Sequence, residues 1–226
     1  MSTEPSPLKI VAALWEPDVA ALQSPAFREH LASLAVTRLQ LNLDDEHILA
    51  TVLRLQELEE PVTCLVSLWC EDVGPLEALA PLAGHLAAWE VDERVPLAPA
   101  PGLDGVRVDG LAQVALLRRP ASLPYDEWLA HWHGPHTQIA METQATFGYV
   151  QNRVVRPLTD CAPAVDAIVE ELFPSAAMHD IHAFYGSGGS AEELDRRLTR
   201  LMASCAVMGA DRDLDVVATS RYSWEL

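Results

Sequence analysis

The sequence predicts an α+β chain made of two β-α-β-β-α-β halves, each with one inserted helix. Short apolar runs rich in β-formers alternate with segments of helical spacing. A Pro/Gly-rich stretch, 96–105, separates two such series. The first helix of each series also repeats: Phe27 and Trp128, His30 and His131, and Leu31 and Trp132 are each 101 positions apart. Each half would bury one sheet face under its helices, so we expect the two free faces to close into a barrel with a pocket between them.

In the first half we expect strands at 8–15, 36–43, 62–70 and 86–97, and helices at 24–35 and 44–60 and in "GPLEALAPLAGHLAAW". Pro25 suits a helix start, whereas Pro81 and Gly84 should shorten or kink the last helix. Residues 1–97 are assigned to this half, 98–105 to a linker and 106–226 to the second half.

In the second half we expect strands at 110–119, 146–158, 178–186 and 213–224, and helices at 125–142, 164–173 and 190–207. Pro135 should interrupt the first of these helices. Ser190 and Glu193 form a capping box that sets the start of the last helix.

The composition excludes several classes of protein. The chain has 226 residues, of which 50% are hydrophobic, and a formal net charge of −18. That charge repels phosphate backbones and anionic headgroups, so we expect no nucleic-acid and no membrane partner. Four cysteines without CxxC spacing favour buried thiols in a reducing, cytoplasmic compartment. No window approaches the roughly 20 apolar residues of a membrane span, and the N-terminus lacks signal-peptide features.

The segment "YDEWLAHWHGPHTQIAME" (125–142) concentrates the candidate chemistry. His133 and His136 are three positions apart and share a helical face, while His131 points elsewhere. His179 and His182 would lie on opposite faces of a strand, so three ligands do not converge and we predict no metal site. The remaining alternatives are one neutral histidine acting as general base or hydrogen-bond donor, His136 or His133, and histidines that only border a proline kink.

Aromatic and polar side chains nearby could line a pocket or simply fill a core. Tyr149 and Gln151 share a strand face, which is harder to explain by packing alone. Glu170 and Glu171 would lie on a solvated helix face unless one of them orients a histidine. Cys205 is expected to be a structural buried thiol. The predicted substrate-binding set is Trp128, Trp132, Tyr149, Gln151, His182 and Tyr185.

Residues 124–224 resemble the EthD-domain proteins of the dimeric α+β barrel superfamily, here in a tandem form. The resemblance is carried by "EWLAHWHGPHTQIAMETQATFGYVQNRVVRPLT", "AIVEELFP" and "MASCAV". It implies two ferredoxin-like halves packed as a pseudo-dimeric barrel, the first of them degenerate because Ala35 stands opposite His136.

The resemblance also implies a small-molecule function. Family members accompany oxidative degradation or act on polyketide-like aromatics. We therefore expect a small apolar or aromatic ligand and, since the sequence has no nucleotide, flavin or haem motif, a conversion without a cofactor: proton abstraction, decarboxylation, dehydration or oxygenation. A non-catalytic accessory protein for an oxygenase is the alternative. A homodimer is compatible with the sequence.

Overall fold

The structure, a computed structural model, describes residues 7–48, 53–99 and 104–226. Its strands are β1 (Leu8–Trp15), β2 (Arg38–Leu43), β3 (Cys64–Cys70), β4 (His85–Leu97), β5 (Leu111–Leu117), β6 (Gly148–Pro157), β7 (Ala167–Phe173) and β8 (Leu214–Glu225). The α-helices are α1 (Val19–Leu22), α2 (Pro25–Ser33), α3 (Tyr125–His131), α4 (Thr137–Thr143), α5 (Ile181–Tyr185) and α6 (Ala191–Met208). A π-helical turn, Trp132–His136, joins α3 to α4.

The eight strands form one closed antiparallel barrel. Their order around the barrel is β1-β3-β2-β8-β5-β7-β6-β4. Within the first half this gives β4-β1-β3-β2, and within the second half β8-β5-β7-β6, so both halves pair their strands in the same order. The halves meet through β2 with β8 and through β4 with β6. Closure leaves no strand edge unpaired.

The interior of the barrel is filled with side chains, which corrects the expected pocket between the two sheets. Val11 of β1 and Val114 of β5 belong to one buried apolar cluster that spans both halves. Beside it, the Glu170 carboxylate accepts hydrogen bonds from Gln40 and Asn42. A cavity of about 670 Å³ is lined in part by barrel strands, and its lining includes Arg38, Glu93 and Arg221 rather than a purely apolar set.

The helices cover the outer faces of the sheet, one group over each half. Phe27 and Leu31 of α2 pack on the outward side chains of β1, β2 and β3. In the second half, Trp132 of the π-helical turn and Leu201 of α6 pack over Val169 of β7. The cavity that the protein contains on this side therefore lies under helices, outside the barrel.

Two segments of the second half differ in type from the sequence prediction. Residues 164–173 were expected as a helix, but Ala167–Phe173 is strand β7. It is buried on both faces, so its apolar run mimics helical spacing. The expected strand at 178–186 instead contains a 3₁₀ helix ending at Met178 and helix α5. Asp180 caps α5 by accepting from the His182 backbone N–H, and Gly186 ends it in a left-handed conformation.

Two expected helices of the first half are also corrected. In 44–60 the structure has a 3₁₀ helix at Glu46–Ile48, residues 49–52 lie outside the described residues, and Leu55 forms an antiparallel bridge with Val216 of β8. The other expected helix is reduced to two 3₁₀ helices, Gly74–Ala78 and Ala80–Leu82. Pro81, in the second of them, lacks an N–H and so prevents one continuous α-helix through this segment.

Candidate functional site

The candidate site is a cavity of about 240 Å³ between the outer sheet face of the second half and its helices. Its walls are mostly apolar, with a few polar groups, which is the usual character of a small-molecule site. The first half contributes Leu53 and Leu55 to it. The polar or aromatic lining residues are Gln113, Trp132, His136, Gln144, Tyr149, Glu171, Phe184, Tyr185 and Asp211.

A π-helical turn places Trp132 and His136 on the cavity wall. Gly134 has φ −103° and ψ −107°, which is not helical, and Pro135 lies inside the turn. Because proline has no N–H, the turn cannot keep the regular α-helical hydrogen bonds. The kink at Gly134 therefore displaces the side chains that follow it from the helical phase of α3.

Thr137 and Gln151 brace this turn. The Thr137 hydroxyl donates to the Trp132 carbonyl at 2.7 Å and accepts from Gln151 Nε2 at 3.0 Å. Arg94 in turn donates to Gln151 Oε1 at 2.8 Å and to the His133 carbonyl at 3.0 Å. Gln151, expected to contact substrate, therefore connects strand β6 to the π-helical turn.

His131 and His136 converge on one serine of α6, contrary to the expectation that His131 points elsewhere. His131 Nε2 lies 3.1 Å from both the carbonyl oxygen and Oγ of Ser204, and His136 Nδ1 lies 3.0 Å from Oγ. The break in the helix at Gly134 brings His131 and His136, five positions apart, onto the same side. Burial, and secondarily His131, lower the pKa of His136 to about 4.

Glu171 of β7 is the most perturbed acid of the cavity. Its side chain lines the apolar space, and Oε1 is buried with no hydrogen-bond partner among the described residues. Burial raises the pKa of this carboxyl to about 7, although the neighbouring Gln144 side chain opposes the shift. A carboxyl with such a pKa exchanges protons readily near neutral pH.

The phenol of Tyr149 and the thiol of Cys205, which also line the cavity, stay uncharged. Burial raises the pKa of Tyr149 far above its ordinary value and that of the Cys205 thiol to about 12. Trp132 Nε1 is buried beside the Tyr149 hydroxyl but makes no normal hydrogen bond within the described residues. The cavity thus offers the Glu171 carboxyl, an indole N–H and a phenol in mainly apolar surroundings, while its second carboxyl, Asp211, is paired with Arg212.

Of the remaining candidates, Trp128, His133 and His182 do not line the cavity. Trp128 is fully buried and donates from Nε1 to the Met208 carbonyl at 3.1 Å, so it supports α3 on α6. His133 packs against the Trp132 ring at a centroid distance of 4.7 Å with the two rings tilted by 36°, and its Nε2 is buried without a hydrogen-bond partner among the described residues. His182 Nδ1 contacts Ser187 Oγ at 2.6 Å. Tyr185 does line the cavity.

Sequence reasoning missed part of the site. It considered Glu171 only as a group that orients a histidine from a helix, because 164–173 was expected to be helical. A strand buried on both faces would instead have placed Glu170 and Glu171 on opposite sides, one in the barrel and one under the helices. Leu53, Leu55 and Ser204 carried no signal in the sequence that tied them to this segment.

No three His, Cys, Asp or Glu side chains lie close enough to hold a metal ion in the part of the chain that the structure describes. His131 and His136 have Ser204 between them rather than a carboxylate or a thiolate.

Solved structures resemble the whole chain. An anthrone oxidase-like protein matches with a TM-score of 0.54 and 10% identity, over 100% of this chain and 95% of that one. A proposed monooxygenase from Lactobacillus acidophilus NCFM matches with a TM-score of 0.53 and 8% identity, over 98% and 97%. A mutant chlorite dismutase from Candidatus Nitrospira defluvii, in complex with cyanide, has a TM-score of 0.50 and 11% identity, over 97% and 92%.

These neighbours belong to the dimeric α+β barrel superfamily. The chain has the dimeric α+β barrel fold. At such low identity the likeness establishes the fold alone. No protein-family model and no curated protein matches the sequence. Among the described residues of this dimeric α+β barrel, no helix is long and apolar enough to cross a membrane.

Proposed function

We propose that the protein binds a small apolar or aromatic molecule under the helices of its second half and begins its conversion by removing a proton. The observation that carries this proposal is Glu171: an acid with a pKa of about 7, whose Oε1 has no hydrogen-bond partner among the described residues, in a mostly apolar cavity of about 240 Å³. That volume is below the range of drug-sized sites, so a ligand of about two fused rings fits best.

The wider assignment is part of the same proposal. We take residues 1–97 and 106–226 as two ferredoxin-like units in a tandem EthD-like protein, supported by their common strand order. The oxidase and monooxygenase neighbours favour oxygenation among the four reaction classes considered above.

In the proposed reaction, the ionised Glu171 accepts a proton from an activated C–H group and leaves a carbanion in the cavity. The indole N–H of Trp132, which makes no normal hydrogen bond within the part of the chain that the structure describes, can donate to the oxygen on which negative charge collects. In an oxygenation, O₂ adds to that carbanion, and conversion of CH₂ to C=O consumes one O₂ and releases one water. No cofactor is required for the proton transfer itself.

Deuterium exchange of 2-tetralone tests this proposal. The compound has two rings, a carbonyl and an acidic CH₂ group beside it. We expect the protein to bind it and to accelerate exchange of that CH₂ in D₂O, followed by NMR. Glu171→Gln should bind 2-tetralone but reduce the exchange rate by about 10²-fold or more, the usual range for loss of a general base.

Glu127→Gln is the matched control, because Glu127 is exposed in the first turn of α3. It should leave exchange unchanged. If the wild type binds 2-tetralone and exchanges nothing, the accessory, non-catalytic alternative is correct. If it binds neither 2-tetralone nor the hydrocarbon tetralin, the proposed ligand class is wrong. Oxygen uptake on the same samples separates oxygenation from proton transfer alone.

A further inference from the structure

Ser204 determines where the protons of two histidines lie. Its carbonyl oxygen is 3.1 Å from His131 Nε2. A carbonyl oxygen can only accept, so His131 Nε2 must carry a proton and donate it. The same N–H also points toward Ser204 Oγ at 3.1 Å, which therefore acts as an acceptor for His131.

The hydroxyl proton of Ser204 is then left for His136. Ser204 is 4% exposed, so its O–H needs a partner inside the protein. With His131 Nε2 protonated, the acceptor within the described residues is His136 Nδ1, 3.0 Å away. Accepting this bond requires that Nδ1 carry no proton. A neutral imidazole must then carry its proton on Nε2.

We infer that Ser204 is a positioning residue that holds His136 in its Nε2–H form, so that His136 donates a hydrogen bond to a carbonyl oxygen of the ligand. His136 lines the cavity, and Nε2 is the ring nitrogen that Ser204 does not contact. The assignment rests on the proposed function for the identity of the site. Glu171 and His136 then have different roles. Glu171 accepts a proton from the ligand, and His136 donates a hydrogen bond to the carbonyl oxygen of the ligand.

This assignment reverses the role of general base that the sequence allowed for His136. It also gives the carbonyl oxygen of a ligand two donors, the imidazole of His136 and the indole of Trp132. Both donors are neutral and are held by the π-helical turn and α6, so neither needs to reorganise as negative charge develops on the oxygen.

The proton positions can be measured without any ligand. In ¹⁵N-histidine-labelled protein at pH 7.5, two-dimensional ¹H–¹⁵N spectra should show His136 with a protonated Nε2 and an unprotonated Nδ1, assigned from the spectrum of His136→Gln. Ser204→Ala should increase the population with a proton on Nδ1. Ser204→Thr, which retains the hydroxyl, should restore the wild-type form. A protonated Nδ1 in the wild type, or no change in Ser204→Ala, would overturn the inference.

Binding of 2-tetralone and tetralin provides the second measurement, because the two compounds differ by one carbonyl. Ser204→Ala should weaken 2-tetralone binding about fivefold to tenfold, the effect of one lost hydrogen bond, and leave tetralin binding unchanged. Equal losses for both compounds would mean that Ser204 is only structural. Thr199→Ala removes an exposed hydroxyl of the same helix and should change neither. If the wild type bound neither compound, the proposed function would fail while the NMR result would still decide the proton positions.

Discussion

The two halves place different side chains at matching positions of the outer sheet face. In the first half, Leu68 of β3 pairs with Ile10 of β1 and Leu39 of β2. In the second half, Glu171 of β7 pairs with Gln113 of β5 and Tyr149 of β6. The three residues of the first half are completely buried in one apolar cluster with Leu31, whereas the second set lines a cavity.

The helices that cover these strands also differ between the two halves. Helix α2 ends at Ser33, and Ala35 follows with a φ of 59°. In the second half the helix continues through the π-helical turn, so His136, opposite Ala35 in the sequence register, reaches the cavity. The same strand order therefore supports either a packed half or a half with a cavity. A few cross-strand residues and one helical turn decide between them.

The largest effect should come from giving the first half the acid of the second. Leu68→Glu places a carboxylate in a fully apolar environment with no partner, and should lower the free energy of unfolding by about 3–5 kcal/mol at pH 8. Denaturant unfolding measures this loss. Val155→Glu, at a site 46% exposed on β6, is the control and should cost little. A loss below about 1 kcal/mol for Leu68→Glu would mean that the first half also tolerates a buried carboxyl.

A second prediction uses the opposite pKa shifts of Glu171 and His136. The pKa of Glu171 is raised from 4.5 to about 7, so its protonated form stabilises the fold at low pH and this contribution is lost as pH rises through 7. The free energy of unfolding of Glu171→Gln, relative to that of the wild type, should therefore increase by about 3 kcal/mol as the pH rises from 4 to 8. Denaturant unfolding at several pH values measures this change. A pH-independent difference would contradict the buried state of this acid.

His136 should change the pH dependence of stability in the opposite direction. Its pKa is lowered from 6.5 to about 4, so its contribution to stability is present above pH 6.5 and is lost as pH falls through 4. His136→Gln should lose stability relative to wild type, by about 3 kcal/mol, as pH rises from 4 to 8. His30→Gln, at the exposed His30 of α2, is the control in the first half.

A third prediction concerns Thr137 and Gln151, which support the π-helical turn of the second half. Thr137→Val removes a hydroxyl that bonds both the Trp132 carbonyl and Gln151, and should cost about 1–3 kcal/mol in thermal or denaturant unfolding. Thr143→Val is the matched control, because its hydroxyl donates to one carbonyl, that of Ile139. Equal losses for the two variants would show that the Gln151 contact adds nothing.

The smallest effect is expected for Leu55, one of the two residues of the first half that line the cavity. Leu55 is 44% exposed and is held beside β8 by its bridge to Val216. Leu55→Ala should change the free energy of unfolding by less than about 1 kcal/mol, while weakening tetralin binding about threefold, as loss of part of one apolar contact would. Val155→Ala, with 46% exposure, is the control for removal of a partly exposed apolar side chain. Unchanged tetralin affinity would remove Leu55 from the site.

The strand pattern and the histidine-rich segment were readable from the sequence. Seven of the eight strands follow apolar runs at the expected places, because alternation and β-branched residues are local signals. Helix α6 starts where its capping serine, Ser190, predicts. The sequence Gly134-Pro135 likewise predicts an irregular helix, because glycine lacks a side chain and proline lacks a backbone N–H.

The tertiary structure alone decided which groups share the cavity. The sequence did not predict strand β7, because burial on both faces removes the alternation that identifies a strand. The position of Glu171 could therefore not be predicted either. Its raised pKa depends on the helices that exclude water from it, which lie far away in the sequence. The meeting of His131 and His136 at Ser204 depends on a π-helical turn and on α6, 68 positions beyond His136. Local sequence determines which elements form, but burial and hydrogen bonding between distant segments determine what their side chains can do.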